Sequence, residues 1–208
     1  MPLDLWLTFV AATLALLFIP GPTVLLVLSY ALSQGKRIAV ASATGVALGD
    51  LVAMTASLLG LGALVLASAT LFTVLKWIGA AYLVYLGIKL LRSAPTAGPG
   101  QVATGPKPAN GVFWHAAAVT ALNPKSIAFF IAFVPQFVSV DRALAPQFVI
   151  LIATFVGLAW LNALAYALLA DRLRQTIGRP SVITWLTRGG GAALVGMGVM
   201  TAALRRTA

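Results

Sequence analysis

An acid, a base and an amide stand in stretches otherwise too apolar to hold them: Asp50 in GVALGD, Lys125 in LNPKSIAFF and Asn162 in GLAWLN. An ionisable side chain deep in a membrane is costly, and where one is kept it marks a site or a pathway. Asp50 follows Arg37 by 13 residues, about 20 Å along a helix. That puts it near the centre of an apolar core roughly 30 Å thick. Desolvation favours a neutral carboxyl and a nearby cation favours a charged one. A carboxyl held between the two loads and releases a proton, so Asp50 is the candidate for proton coupling. The alternative is a static Asp50–Lys125 pair that staples parts of the chain together, although a buried pair is weak stabilisation.

Two proline breaks lie near these charges. The run LFIPGPTVLLVLSYAL, from Leu17 to Leu32, carries Pro20, Gly21 and Pro22 at its centre. The run ALNPKSIAFF carries Asn123, Pro124 and Lys125. Asparagine is a strong helix N-cap, glycine is tolerated there, and proline suits the first helical position. Each run therefore predicts a helix that stops and restarts in mid-membrane. The unpaired N–H groups of the two restarts, at Thr23 and Lys125, suit a carboxylate. The freed carbonyls before each break suit an ammonium or another cation. A zwitterionic amino acid presents both charges. A plain proline kink is the simpler alternative for either run alone.

What must hold these groups is a membrane fold. Of the 208 residues 61% are hydrophobic and 9% charged, against about half and a quarter in soluble domains. Six runs are long enough to span: 5–32, 39–66, 69–91, 112–138, 144–170 and 183–204. The expectation is an all-α integral membrane protein of six transmembrane helices, with spans one and four broken at prolines. A start without basic residues, MPLDLW, reads as a retained span rather than a cleaved signal. Trp6, Trp114 and Trp185 sit at span ends as an interfacial belt, Trp160 is placed to wall a pocket, and Tyr82 and Tyr85 read as packing. Lys76 lies near the outer end of span three and can snorkel.

The net charge of +10 does not point to nucleic acid, because the basic residues sit between spans, where they set orientation. Lys36 and Arg37, then Lys89, Arg92 and Lys107, then Arg172, Arg174, Arg179 and Arg188 follow the odd-numbered spans. Those connections are expected inside and both termini in the periplasm, against the dissent of Arg205 and Arg206. Residues 93–111, rich in Gly, Pro, Ala and Thr, read as a cytoplasmic linker between repeats 1–92 and 112–208. The halves echo each other. Gly45 and Gly157 open matching stretches 112 residues apart, with Asp50 and Asn162 at the same sixth place, and Gly79 and Gly190 open others 111 apart. Three spans per half make the repeats inverted, an architecture of secondary transporters with the site at the midplane.

Taken together, the stretches PGP (20–22), GKR (35–37), G…GD (45–50), LGLGAL (59–64), GAAYLVYLGIKLLR (79–92) and ALNPKSIAFFIAFVPQF (121–137) resemble the LysE/RhtB family of amino-acid exporters across nearly the whole chain. The resemblance implies an inner-membrane efflux protein driven by proton exchange. It adds weight to Pro20, Gly21, Pro22, Gly45, Asp50, Asn123, Pro124, Lys125, Pro135 and Gln136. Past Phe137 the match is less distinctive, and Asn162 rests on the repeat alone.

The function expected is export of a neutral amino acid or related metabolite by proton antiport. The substrate-binding set is Gly21, Pro22, Thr23, Asp50, Asn123, Pro124, Lys125 and Asn162, with Asp50 coupling the proton. Protons, the amino acid and the bilayer are the partners; nucleic acid is not, and the glycine-rich spans allow a homodimer. No cofactor and no metal are expected: there is no cysteine, and His115 is the single histidine. A membrane enzyme would lack a nucleophile–base pair. A channel or cation transporter of similar build is the alternative, although four acidic residues are poor material for a selectivity ring.

Overall fold

The computed structural model describes residues 1–19, 21–92, 107–139, 142–170 and 180–203. Pro20, Arg172, Arg174, Arg179, Arg205, Arg206 and most of the expected linker lie outside the described residues. The described residues are mostly helical, with no strand among them: α1 (Leu3–Phe18), α2 (Pro22–Gln34), α3 (Lys36–Ala67), α4 (Ala69–Arg92), α5 (Ala109–Ala121), α6 (Pro124–Ala132), a short 3-10 turn (Val134–Phe137), α7 (Leu144–Leu168) and α8 (Pro180–Ala203).

The first expected span is α1 and α2, bent by 57°, and the fourth is α5 with α6 and the 3-10 turn, bent by 46°. Both breaks fall where cap chemistry places them. Pro22 is the first residue of α2 after Gly21, and Pro124 the first of α6 after Asn123. α2 turns into α3 through one residue, Gly35, whose φ of 81° is open to glycine and strained for other side chains. α3, α4 and α7 each contain a stretch long and apolar enough to cross a membrane, and the two bent pairs raise the number to five. α8 covers the sixth expected span and has 24 residues, about 36 Å. It does not pass the same test of apolarity, because it carries Arg188 and five glycines.

Three of those glycines, Gly190, Gly191 and Gly198, serve packing. α8 lies along α4 and α5 along α3, the two most extensive helix contacts. A Cβ on Gly87 would fall 2.6 Å from the Gly191 carbonyl oxygen, and one on Gly191 would fall 2.7 Å from that of Gly87. On α3, a Cβ at Gly49 would meet the Ala117 oxygen at 2.5 Å and Thr120 Cβ at 2.7 Å. Dispersion and close backbone approach drive association where lipid is as apolar as the helices. Gly49→Ala must therefore push α5 away. It should lower the unfolding midpoint in detergent by several degrees, since overpacking costs about 1–3 kcal/mol. Gly157→Ala has nothing within 4 Å of the new methyl and should leave the midpoint unchanged.

Two apolar clusters form the core. One is built on α6 and the 3-10 turn and is rich in phenylalanine: Phe129, Phe130, Phe133 and Phe137, joined by Phe9 and Phe155. Phe130 and Phe155 meet edge to face at 4.7 Å between centroids. The other is small-residue packing, with Ala39, Ala43, Ala163 and Ala167 around Val24, Val27 and Leu28. α3 also packs on α7, and α7 on both pieces of the first broken span. Helices from the two halves thus interleave around the breaks.

Candidate functional site

The two breaks meet. Asn123 Oδ1 accepts from the backbone N–H of Lys125 at 3.0 Å, capping α6, and Asn123 Nδ2 donates to Thr23 Oγ1 at 3.2 Å. One buried amide thus caps its own helix and touches the first turn of α2 across the fold. No side chain caps α2, whose N-cap is Gly21. Its first-turn N–H groups remain the less satisfied of the two starts. Asn123→Ala removes a cap typically worth about 1 kcal/mol together with the link to Thr23. The melting point should fall by at least about 2–4 °C, and Asn123→Asp, which keeps the cap, should recover most of the loss.

Lys125 reaches the other way. Its Nζ donates to the carbonyl oxygens of Leu16 and Ile19, each at 3.2 Å, at the end of α1. Asn162 Nδ2 donates to the next freed carbonyl, that of Leu17, at 3.4 Å. A Cβ on Gly21 would come within 3.2 Å of Lys125 Nζ, so a glycine there makes room for the ammonium. The sequence leaves open a direct Asp50–Lys125 staple. In the structure Lys125 spends its donors on α1 instead. Asp50 is 3% exposed, and its Oδ1 has no hydrogen-bond partner among the described residues.

Thr23, Asp50, Asn123, Lys125 and Asn162 line one cavity with Ser126. The remaining walls are apolar, from Leu16, Leu17, Val24, Val27, Val46, Ala159 and Ala163, so the cavity lies against both core clusters. Its volume is about 30 Å³, room for about two waters. That is too little room for a molecule the size of an amino acid.

Not every residue singled out from sequence faces this cavity. Pro22 and Pro124 are exposed at the first helical position of α2 and α6; they start the helices and do not line the cavity. Pro135 and Gln136 sit in the 3-10 turn, where Gln136 Nε2 donates to Thr201 Oγ1 of α8 at 2.6 Å. Trp160, expected to wall a pocket, is 40% exposed and outside the lining, because it lies on the outer face of α7. His115 Nδ1 meets Tyr30 Oη at 2.9 Å and ties α5 to α2. Sequence reasoning missed Ser126 and Val46. Each lies three or four residues from a polar anchor on the same helix face, Ser126 from Asn123 and Val46 from Asp50, and that spacing could have found them.

The LysE type translocator model matches residues 14–204 of the chain. Over 203 residues the chain is 32% identical to an uncharacterized membrane protein of Vibrio cholerae, covering 97% of this chain and 98% of the other. It is 30% identical over 205 residues to the homoserine/homoserine lactone efflux protein of Salmonella typhimurium, covering 99% of each. It is 31% identical over 156 residues to the leucine efflux protein of an Enterobacter species, covering 75% and 74%. No solved structure gives a significant match.

Proposed function

The chain belongs to the LysE type translocator family, and on that premise we propose that it exports a neutral amino acid or related metabolite in exchange for protons, by alternating access. One observation carries the reading: Asp50, a buried carboxyl with one oxygen unpartnered among the described residues, lines the cavity where the starts of two broken helices meet. An amino acid is complementary to that cavity. Its carboxylate suits the uncapped start of α2 at Thr23. Its ammonium suits Asp50. Its side chain suits the wall of Val24, Val27, Val46 and Ala163. Asp50 is the only acid in the lining, so the second cation of lysine or arginine would stay unpaired, which favours neutral substrates. Relatives named for leucine and for homoserine efflux support that choice.

Asp50 then couples the fluxes by competition. Unprotonated and open to the cytoplasm, it holds the substrate ammonium. A proton from the outside displaces that ammonium and the substrate leaves. The cytoplasmic seal in this reading is the alanine-rich cluster that follows α2 towards Lys36 and Arg37, and the periplasmic seal is the phenylalanine-rich cluster. The halves act as inverted repeats in the inner membrane, both termini in the periplasm, with no chemical step. Cells overproducing the protein and loaded with a panel of amino acids test this: neutral aliphatic substrates and homoserine should accumulate outside several-fold faster than in control cells. Release of lysine and arginine alone, or of nothing, would contradict it.

A further inference from the structure

A helix that stops inside a membrane leaves carbonyl oxygens that need a donor or a cation. In broken-helix carriers, freed carbonyls and helix C-terminal ends are places that hold a coupling cation. At the end of α1 this donor set is present: the oxygen of Ile19 and that of Leu16, which also accepts from the Ile19 N–H at 3.3 Å, beside a cavity that Asp50 also lines. A side chain of the protein already occupies it. Lys125 comes from the first turn of α6, more than 100 residues away, and its Nζ sits 3.2 Å from both oxygens. The residue facing Nζ is Gly21, where a Cβ would crowd the ammonium.

We propose that Lys125 is a tethered cation, standing where a small monovalent cation such as sodium would otherwise bind, so that the carrier has no use for sodium as a coupling ion. An ammonium on a flexible stem is a compact point charge with three donors, able to serve two carbonyls at once. Being covalently attached, it needs no ion gradient to stay in place. It also ties α6 to the end of α1, as Asn123 ties α6 to the start of α2, so the broken spans are braced on both sides of the first break. The consequence for coupling rests on the transport reading above; the occupancy of the carbonyls does not.

The test reads binding through stability, without transport. Wild-type protein purified in detergent should unfold at the same temperature in sodium, ammonium and choline chloride of equal ionic strength. Lys125→Ala opens the space, strands the buried Ile19 carbonyl and leaves that of Leu16 with the Ile19 N–H alone. In choline its midpoint should fall by about 5 °C or more. Sodium or ammonium at about 100 mM should restore at least half of that, by mass action on the vacated site. Lys125→Met fills the space without charge and should be destabilised alike in all three salts, which keeps the test open if the alanine variant does not fold. A wild-type midpoint that rises in sodium over choline overturns the proposal. So does a Lys125→Ala protein indifferent to small cations, or a Lys125→Met protein as stable as wild type. Wild-type protein that exports no amino acid while the salt responses come out as expected would instead count against the transport reading.

Discussion

Vesicles carrying Asp50→Asn will show no amino-acid flux driven by a pH gradient above that of empty vesicles. Asn keeps the shape of the side chain and removes both its charge and its proton. In the proposed cycle Asp50 is the only group that pairs with the substrate ammonium and the only one that trades it for a proton. Truncating one partner of a buried, hydrogen-bonded charge pair costs about 2–5 kcal/mol, so affinity should fall by about 30-fold to several thousand-fold. Because Oδ1 makes no hydrogen bond to the protein among the described residues, the substitution breaks no such bond there and the variant should fold. Asp50→Glu restores the charge at a displaced position and should recover part of the flux. Wild-type flux in Asp50→Asn would remove this residue from the mechanism.

The second large effect is steric. Ala163 is 5% exposed and lines the cavity with Val27 and Val46. Ala163→Phe would put a ring into a space of about 30 Å³. Export should drop at least tenfold for every substrate, while overpacking at about 1–3 kcal/mol leaves folded protein to measure. Trp160→Ala, three residues earlier and on the outer face of α7, removes more atoms and should change export less than twofold. Equal losses in the two variants, measured as export per folded molecule, would mean that the cavity is not on the route.

The contrast between Trp160 and Ala163 also marks how far the sequence could be read. The breaks were legible because Gly21-Pro22 and Asn123-Pro124 carry local chemistry that acts wherever the chain lies. Asp50 was legible because a lone acid has few other reasons to be at membrane depth. The walls were not. In α7 nearly every residue is apolar, and lipid is as apolar as a protein interior, so the pattern cannot say which side faces in. From sequence Trp160 is as good a candidate for a pocket wall as Ala163, and only the structure separates them. The target of Lys125 was hidden differently: the carbonyls it serves lie 109 and 106 residues away, and backbone atoms leave no mark on the sequence. In α8 the sequence shows five glycines but not which of them touch α4; only Gly191 and Gly198 do.

Proton movement elicited by the substrate tests the central claim most directly. Purified protein in vesicles with a pH-sensitive dye inside is given a neutral amino acid, such as leucine or homoserine, outside. Antiport predicts that entry of the amino acid drives protons out and turns the lumen alkaline, a signal missing from Asp50→Asn vesicles. Entry of the amino acid with no change in internal pH, at a rate indifferent to an imposed pH gradient, would contradict it.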